Sequence, residues 1–482
     1  MNVYVTDQNI HLQAQPGENL LQVLRRGGVD VEAPCGGGGK CGKCKVWVDG
    51  EEQLACHYAV EKDITVHLPE KKTAEVLTRG LELRVQADGT DRYVLAFDLG
   101  TTTVVAYLMD GSNGQILARA SCVNPQSRFG ADVISRIQYA MDGEGEALSR
   151  CIRDSLAELT HLAAGQAGVD PGQITAAALV GNTAMHHLLL GIDPKPLTTP
   201  PYMPSVSEAM TVAADFLPVA PGTELRILPN IAGFVGADTV GCLVATEFDQ
   251  LEDVTLMIDI GTNGEMVLKH NDTLLCCATA AGPCFEGAGI SCGVPAIPGA
   301  ICRVWAENGA LQFDTVAHEP PVGLCGTGLV DAIAVLLKLG LIDETGYLEE
   351  SFRFGDSDVL LTPKDIRQFQ LAKSAIRSGL DTLLHVAEIS PSAIDAFYIA
   401  GGFGSALNID SAVQTGLIPA ELAGAAVSIG NGAGAGAAMV LQSRPCMETA
   451  VQIAARAKAV TLTENAFFTQ RYAENMLFSV EY

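Results

Sequence analysis

Basic residues are scarce in this 482-residue chain: 30 Lys and Arg stand against 56 Asp and Glu, for a formal net charge of −26. Neutralising a phosphate backbone requires clustered cations, so the balance argues against a nucleic-acid partner. An acidic surface serves solubility and also suits a basic patch on a protein partner. Charge of either sign is thin, 18% against 48% hydrophobic residues, which excludes a disordered polymer and describes a globular core. Long unbroken apolar runs are also missing. The most apolar stretch, residues 175–192, is interrupted by Asn182, His186 and His187, so no membrane span is expected. Met1-Asn2-Val3-Tyr4-Val5 has neither the basic region nor the apolar region of a secretion signal, and the expected location is the cytoplasm. The 14 cysteines do not follow the pattern of a small secreted disulfide scaffold. The length admits about three domains.

Four of those cysteines stand together. Cys35, Cys41, Cys44 and Cys56 follow C-x5-C-x2-C-x11-C spacing through a glycine-rich loop. Around it, residues 1–70 alternate like a small sheet with one helix. Val3 and Val5 share a strand face, Ile10 and Leu12 begin a second strand, and a helix is expected from Leu20 to Arg26, closed by Gly27-Gly28. Strands are expected again over 45–48 and 64–68. Gly36 to Gly39 and Gly42 let backbone N–H groups approach cluster sulfurs closely. This region resembles a β-grasp ferredoxin domain carrying a [2Fe–2S] cluster. It departs from the plant-type C-x4-C-x2-C run by one residue in the first gap. A four-thiolate zinc site is the alternative, although zinc motifs favour two short knuckles and only Cys41 and Cys44 make one. Gly37 to Lys43 fits a P-loop pattern, but Cys44 stands where Ser or Thr must hold magnesium, so that reading is rejected.

A second feature is a repeated hairpin. Phe97-Asp98-Leu99-Gly100-Thr101-Thr102 and Ile258-Asp259-Ile260-Gly261-Thr262-Asn263 each end a buried strand in Asp and turn on Gly-Thr. Glycine brings backbone amides to phosphate oxygens, hydroxyls add donors, and each Asp can hold Mg²⁺ through water and help orient the attacking water. A third element, Ala400-Gly401-Gly402-Phe403-Gly404-Ser405, would pack bare backbone against a sugar or α-phosphate. In this order the three elements resemble the actin, Hsp70 and sugar-kinase ATPases, in which two RNase-H-like halves close over ATP. The resemblance implies Asp98 and Asp259 as catalytic residues. It implies Gly100, Thr101, Thr102, Gly261, Thr262, Asn263, Gly401, Gly402 and Gly404 around the nucleotide. Residues 229–238 are expected to lead into one crossing helix between the halves, and Gly326-Thr327-Gly328-Leu329-Val330-Asp331 to form the other.

Further segments narrow the resemblance. Residues 124–136 (N-P-Q-S-R-F-G-A-D-V-I-S-R), 181–191 (G-N-T-A-M-H-H-L-L-L-G), Gly282-Pro283 with Glu286-Gly287, and the closing stretch 462–478 resemble the ATP-dependent reductive activators of corrinoid proteins. The expected architecture is an α+β β-grasp ferredoxin domain (1–78), a linker (79–92), a duplicated α/β RNase-H-like ATPase core (93–225 and 226–445) and a helical tail (446–482). The implied reaction is reduction of a corrinoid protein of a methyltransferase system from Co(II) to Co(I). Its implied needs are a [2Fe–2S] cluster, ATP, Mg²⁺ and an upstream electron donor, and a homodimer is compatible with it. Two other functions compete: a redox-gated, nucleotide-dependent binding switch, and a small-molecule kinase with a regulatory ferredoxin domain. No carboxylate base beside an acceptor hydroxyl is identifiable for the kinase.

Several residues have plainer readings. His186 and His187 are expected to pack a helix rather than to touch cobalt, and His57 to be a solvent-facing neighbour of Cys56. Cys276, Cys277, Cys284, Cys292, Cys302 and Cys325 match no metal spacing and read as small hydrophobes. The run 432–437 (G-A-G-A-G-A) has the wrong spacing for a dinucleotide fingerprint and is expected to pack a helix against a strand. Asp132 and Asp238 are open between positioning water and capping a helix.

Overall fold

The computed structural model describes residues 1–29, 31, 44–69, 92–130, 132–251, 254–307 and 309–478. The expected linker at 79–92 lies almost wholly outside the described residues, as do Cys35 and Cys41.

The amino-terminal unit is a five-stranded sheet in the order Ile10–Gln13, Asn2–Val5, Ile64–His67, Lys45–Val48, Glu51–Leu54. Asn2–Val5 and Ile64–His67 are parallel, which gives the β-grasp arrangement. Helix Leu20–Arg26 covers the sheet and buries Leu20, Leu21, Val23 and Leu24 against Val3, Val5, Val46 and Val66. Asn19 caps it, accepting from the Leu21 and Gln22 amides. A β-carbon on Gly27 would stand 2.3 Å from Leu12 Cδ2, so glycine there leaves room for that side chain against the helix end.

The rest of the chain builds one plan twice. In the first half, Tyr93–Leu99 pairs antiparallel with Thr103–Asp110 and parallel with Ile174–Gly181. In the second, Thr255–Ile260 pairs antiparallel with Gly264–His270 and parallel with Ala396–Ala400. A third antiparallel strand completes each meander, Ile116–Val123 and Thr273–Thr279, and each sheet reaches six strands. Both sheets are covered on two faces, which is why their strands read as continuous apolar runs instead of alternating ones. Helix Gly145–Ala167 lies over the first meander and Pro363–Val386 over the second.

The halves meet through two helices. Ala237–Ala245 leaves the first half, and Gly432–Gln442 follows the last long strand of the second half yet packs on the first sheet and on Ala237–Ala245. Their contact is backbone on backbone: a β-carbon on Gly436 would lie 2.1 Å from the Gly241 carbonyl oxygen. Three expectations are corrected here. The second crossing helix is Gly432–Gln442, not the one that begins at Gly326. Helix Gly326–Lys338 is buried inside the second half, against strand Ala300–Glu307. The G-A-G-A-G-A run packs its helix against strands of the first sheet, as expected, and serves the helix–helix crossing as well. The division expected at 225/226 falls inside strand Glu224–Ile227 of the first sheet. The tail is not wholly helical either: Lys458–Ala459 adds an edge strand to the second sheet before helix Ala466–Glu474.

Candidate functional site

The two Gly-Thr turns face one another between the halves. Each is closed tightly by its own backbone: the Gly100 amide donates to the Thr103 carbonyl (3.0 Å) and Gly261 to Asn263 (2.9 Å). A β-carbon on Gly100 would stand 2.7 Å from that same Thr103 oxygen, so no other residue fits the turn. Across the gap Thr102 Oγ1 and Thr262 Oγ1 are 3.4 Å apart.

Three asparagines hold the first turn. Asn124 Nδ2 donates to the Gly100 carbonyl (2.8 Å), and Asn182 Nδ2 donates to Thr101 Oγ1 (2.7 Å). Asn431 Nδ2 donates to Asp98 Oδ2 (2.7 Å), while its own carbonyl oxygen caps the crossing helix at the Gly434 amide. Asn124 and Asn182 belong to segments quoted for the family resemblance, and a polar residue just beyond a buried strand signals such a role. Asn431 carried no signal beyond Asn-Gly at a helix start.

Asp98 and Asp259 lie half-buried on the cleft floor with Asp238. Burial pushes the Asp98 carboxyl up to about 6, and the Asn431 bond partly offsets it. Asp259 is pushed up to about 7, by burial first and then by the charges of Asp238, Asp98 and Glu286. Asp238 and Glu265 are raised for the same reasons. Like charges brought together raise one another, and carboxylate oxygens are the donor chemistry that a hard divalent ion takes. Asp238 thus belongs to the carboxylate cluster, whereas Asp132 caps helix Val133–Tyr139 in a reciprocal pair with Ser135.

The third element begins at Gly401, whose φ of +84° starts helix Gly401–Ala406 directly off strand Ala396–Ala400. A β-carbon on Gly401 would sit 2.6 Å from Asp259 Oδ1, so this glycine brings the helix start onto the cleft floor. Gly402 is exposed. Gly404 is buried, with Ile399 Cγ2 at 2.5 Å from its missing β-carbon, so its lack of a side chain serves packing.

In the amino-terminal unit Cys44 is buried and Cys56 half-buried. The Cys56 amide points at Cys44 Sγ (3.4 Å), and Asn19 Nδ2 donates to the Cys56 carbonyl (2.7 Å). An amide aimed at sulfur is the support a ligating thiolate needs, so the described pair fits a cluster. His187 proves structural: its Nδ1 meets the Thr183 carbonyl (2.7 Å) and its Nε2 accepts from the Ser205 amide (3.1 Å). His186 is buried against Asn230. Among the described residues no group of three or more Cys, His, Asp or Glu side chains is gathered to hold a metal ion, and no helix is long and apolar enough to cross a membrane.

Comparisons with known proteins agree with this fold. Residues 3–65 match the 2Fe–2S iron–sulfur cluster binding domain, 93–251 the RACo middle region, and 253–481 the C-terminal domain of RACo, the ASKHA domain. The chain is 35% identical over 420 residues to the corrinoid activation enzyme RamQ of Eubacterium limosum, covering 80% of this chain and 70% of that protein. It is 32% identical over 218 residues to the [Co(II) methylated amine-specific corrinoid protein] reductase of Methanosarcina barkeri, spanning 41% of this chain and 40% of that one. A solved structure of a reductive activator for a corrinoid, iron–sulfur protein superposes with a TM-score of 0.75 at 28% identity, over 99% of this chain and 98% of that chain. The chain belongs to the RACo family of ATP-dependent reductive activators of corrinoid proteins.

Proposed function

We propose that this protein uses Mg-ATP to drive single electrons from its own [2Fe–2S] cluster into a corrinoid protein, returning cobalt from Co(II) to Co(I) so that methyl transfer resumes. The observation that carries the proposal is the pair of facing hairpins, Thr102 and Thr262 3.4 Å apart, on a chain that also holds an iron–sulfur fold.

Asp98 and Asp259 are the residues that would hold the Mg²⁺ of the nucleotide complex, and as carboxylates they would orient the attacking water. The turn amides and the Thr101, Thr102 and Thr262 hydroxyls cradle the phosphates, with Asn263 beside them. Gly401 and Gly402 let the ribose or α-phosphate approach bare backbone. Cys35, Cys41, Cys44 and Cys56 hold the cluster. When bound, that cluster supplies a one-electron reductant at about −400 mV on the plant-type scale. Each 100 mV of shortfall against cobalt costs about 2.3 kcal/mol per electron, within reach of a closure driven by ATP. The crossing helices, in contact through Gly241 and Gly436, are the hinge of that closure. An acidic surface of net charge −26 suits a basic patch on the corrinoid partner.

The test is anaerobic. Reconstituted, chemically reduced protein is mixed with a Co(II) corrinoid protein, and visible spectra are followed before and after Mg-ATP. The proposal expects the Co(I) band only after ATP. Intact, reducible cluster and measurable ATPase without Co(I) would contradict it.

A further inference from the structure

Glu286 was noted in the sequence only as part of a motif, yet the fold delivers its side chain into the gap between the two phosphate turns. Glu286 Oε1 accepts the Thr262 amide (3.1 Å), and Oε2 accepts the hydroxyls of Thr262 (3.0 Å) and Thr102. These are the donors that a transferable phosphate would be given: one backbone N–H of the second turn and one hydroxyl from each half. Burial raises the Glu286 carboxyl above its usual range and these donors partly offset it, so the group occupies a site built for an anion and bridges the two halves. Its backbone is fixed. Residues Pro283–Glu286 form a short 3-10 helix ended by Gly287, where φ is +80° and a β-carbon would lie 2.3 Å from the Val294 carbonyl oxygen. Phe285 beside it packs on Phe369 and on Phe403 of the third element. What can move is the Glu286 side chain.

A destination exists. Arg136 is 0% exposed, donates through Nε to the Gly130 carbonyl (2.9 Å) and through Nη1 to Met185 Sδ (3.6 Å), and its other guanidinium nitrogen, Nη2, has no partner among the described residues. Its charge acts on Glu286 and that of Glu286 on it. A buried, unpartnered guanidinium nitrogen is costly unless some state of the protein satisfies it.

Building on the nucleotide site proposed above, we propose that Glu286 is a resident occupant of the terminal-phosphate cradle. Entry of the ATP γ-phosphate takes over the Thr102 and Thr262 donors and sends the carboxylate to Arg136. The swap exchanges one anion for another on the same donors, so no proton or electron is transferred. It acts on the segment that reaches the electron carrier, because Arg128, eight residues before Arg136, accepts at its carbonyl from Arg25 of helix Leu20–Arg26. Glu286 is thus a positioning residue that distinguishes triphosphate from diphosphate.

The experiment measures binding of a non-hydrolysable ATP analogue and of ADP, each with Mg²⁺, to the full-length cluster-loaded protein, Glu286→Gln, Glu286→Ala and Arg136→Gln. Cluster absorption and melting temperature verify each variant's fold. With the competitor weakened, both Glu286 variants should bind the analogue about tenfold tighter, the size of one charge-assisted hydrogen bond, with ADP affinity unchanged. Arg136→Gln should weaken the analogue and leave ADP unchanged. Unchanged or weaker analogue binding by folded Glu286→Gln and Glu286→Ala would overturn the proposal. A wild-type protein that bound neither nucleotide would instead overturn the nucleotide site, and the latch with it.

Discussion

Asn431 offers a sharp test of how the cleft is held. Its side chain does two things at once, donating to Asp98 Oδ2 at 2.7 Å and accepting from the Gly434 amide at 2.7 Å. Replacing it with Ala removes both. Loss of a bond to an ionised group costs about 1.5–3 kcal/mol, and loss of a helix cap about 1 kcal/mol. Asn431→Ala should therefore destabilise the ATPase core by about 2–4 kcal/mol. Asn431→Ser keeps a capping oxygen but is too short to reach Asp98, so it isolates the first contribution. The same bond lowers the Asp98 carboxyl against the burial that raises it to about 6. Without it the protonated form gains, and the acid limb of the ATPase profile moves to higher pH. One pH unit corresponds to 1.36 kcal/mol, and with solvent screening in a half-buried cleft the shift should be about one unit. Denaturant titration and a pH–rate profile of both variants provide the readouts. If Asn431→Ser left the acid limb in place and kept the wild-type stability that Ala loses, the residue would be a cap and nothing more.

Gly436→Val should prise the crossing helices apart, since its β-carbon would meet the Gly241 carbonyl oxygen at 2.1 Å; overpacking of this kind costs about 1–3 kcal/mol, and ATPase should fall with melting temperature. Lys373 is buried, donates to the Leu477 carbonyl (2.5 Å), and is pushed down to about 7 by burial and then by Arg377. A lowered folded value means that the unfolded chain holds more protons above pH 7, so stability should rise as pH climbs from about 7 toward the ordinary lysine range. Lys373→Met should flatten that rise in thermal melts at pH 7 and 9. His187→Ala should cost about 1–3 kcal/mol through the orphaned Ser205 amide, yet leave the spectrum of a Co(II) corrinoid partner unchanged when the two are mixed.

The duplicated hairpins were legible because their strands are buried on both faces and end in Asp and Gly-Thr, chemistry that few other folds require. The small helix Leu20–Arg26 was legible from its apolar spacing and closing glycines. Strand Glu51–Leu54 was not, since an edge strand with two glutamates carries no apolar pattern. The crossing helix was misplaced because Gly326-Thr327-Gly328 and 432–437 share the small residues that close helix packing demands. Only the fold shows which run meets Ala237–Ala245. Gly404 illustrates the same limit within one motif: spacing does not distinguish a glycine that admits a ligand from one that admits Ile399. Glu286 could not be placed from sequence at all. Its partners Thr102 and Thr262 lie in different halves, and their meeting is a product of tertiary structure.

The most direct test of coupled electron delivery follows both chromophores in one anaerobic single-turnover experiment. Pre-reduced protein without excess reductant is mixed with a Co(II) corrinoid protein, then with Mg-ATP. The account predicts that cluster reoxidation and Co(I) formation begin together, one electron for one cobalt, only after ATP. It also predicts that both are lost in Asp259→Asn while the cluster spectrum stays intact. Co(I) formed at the same rate without nucleotide, or undiminished in Asp259→Asn, would contradict it.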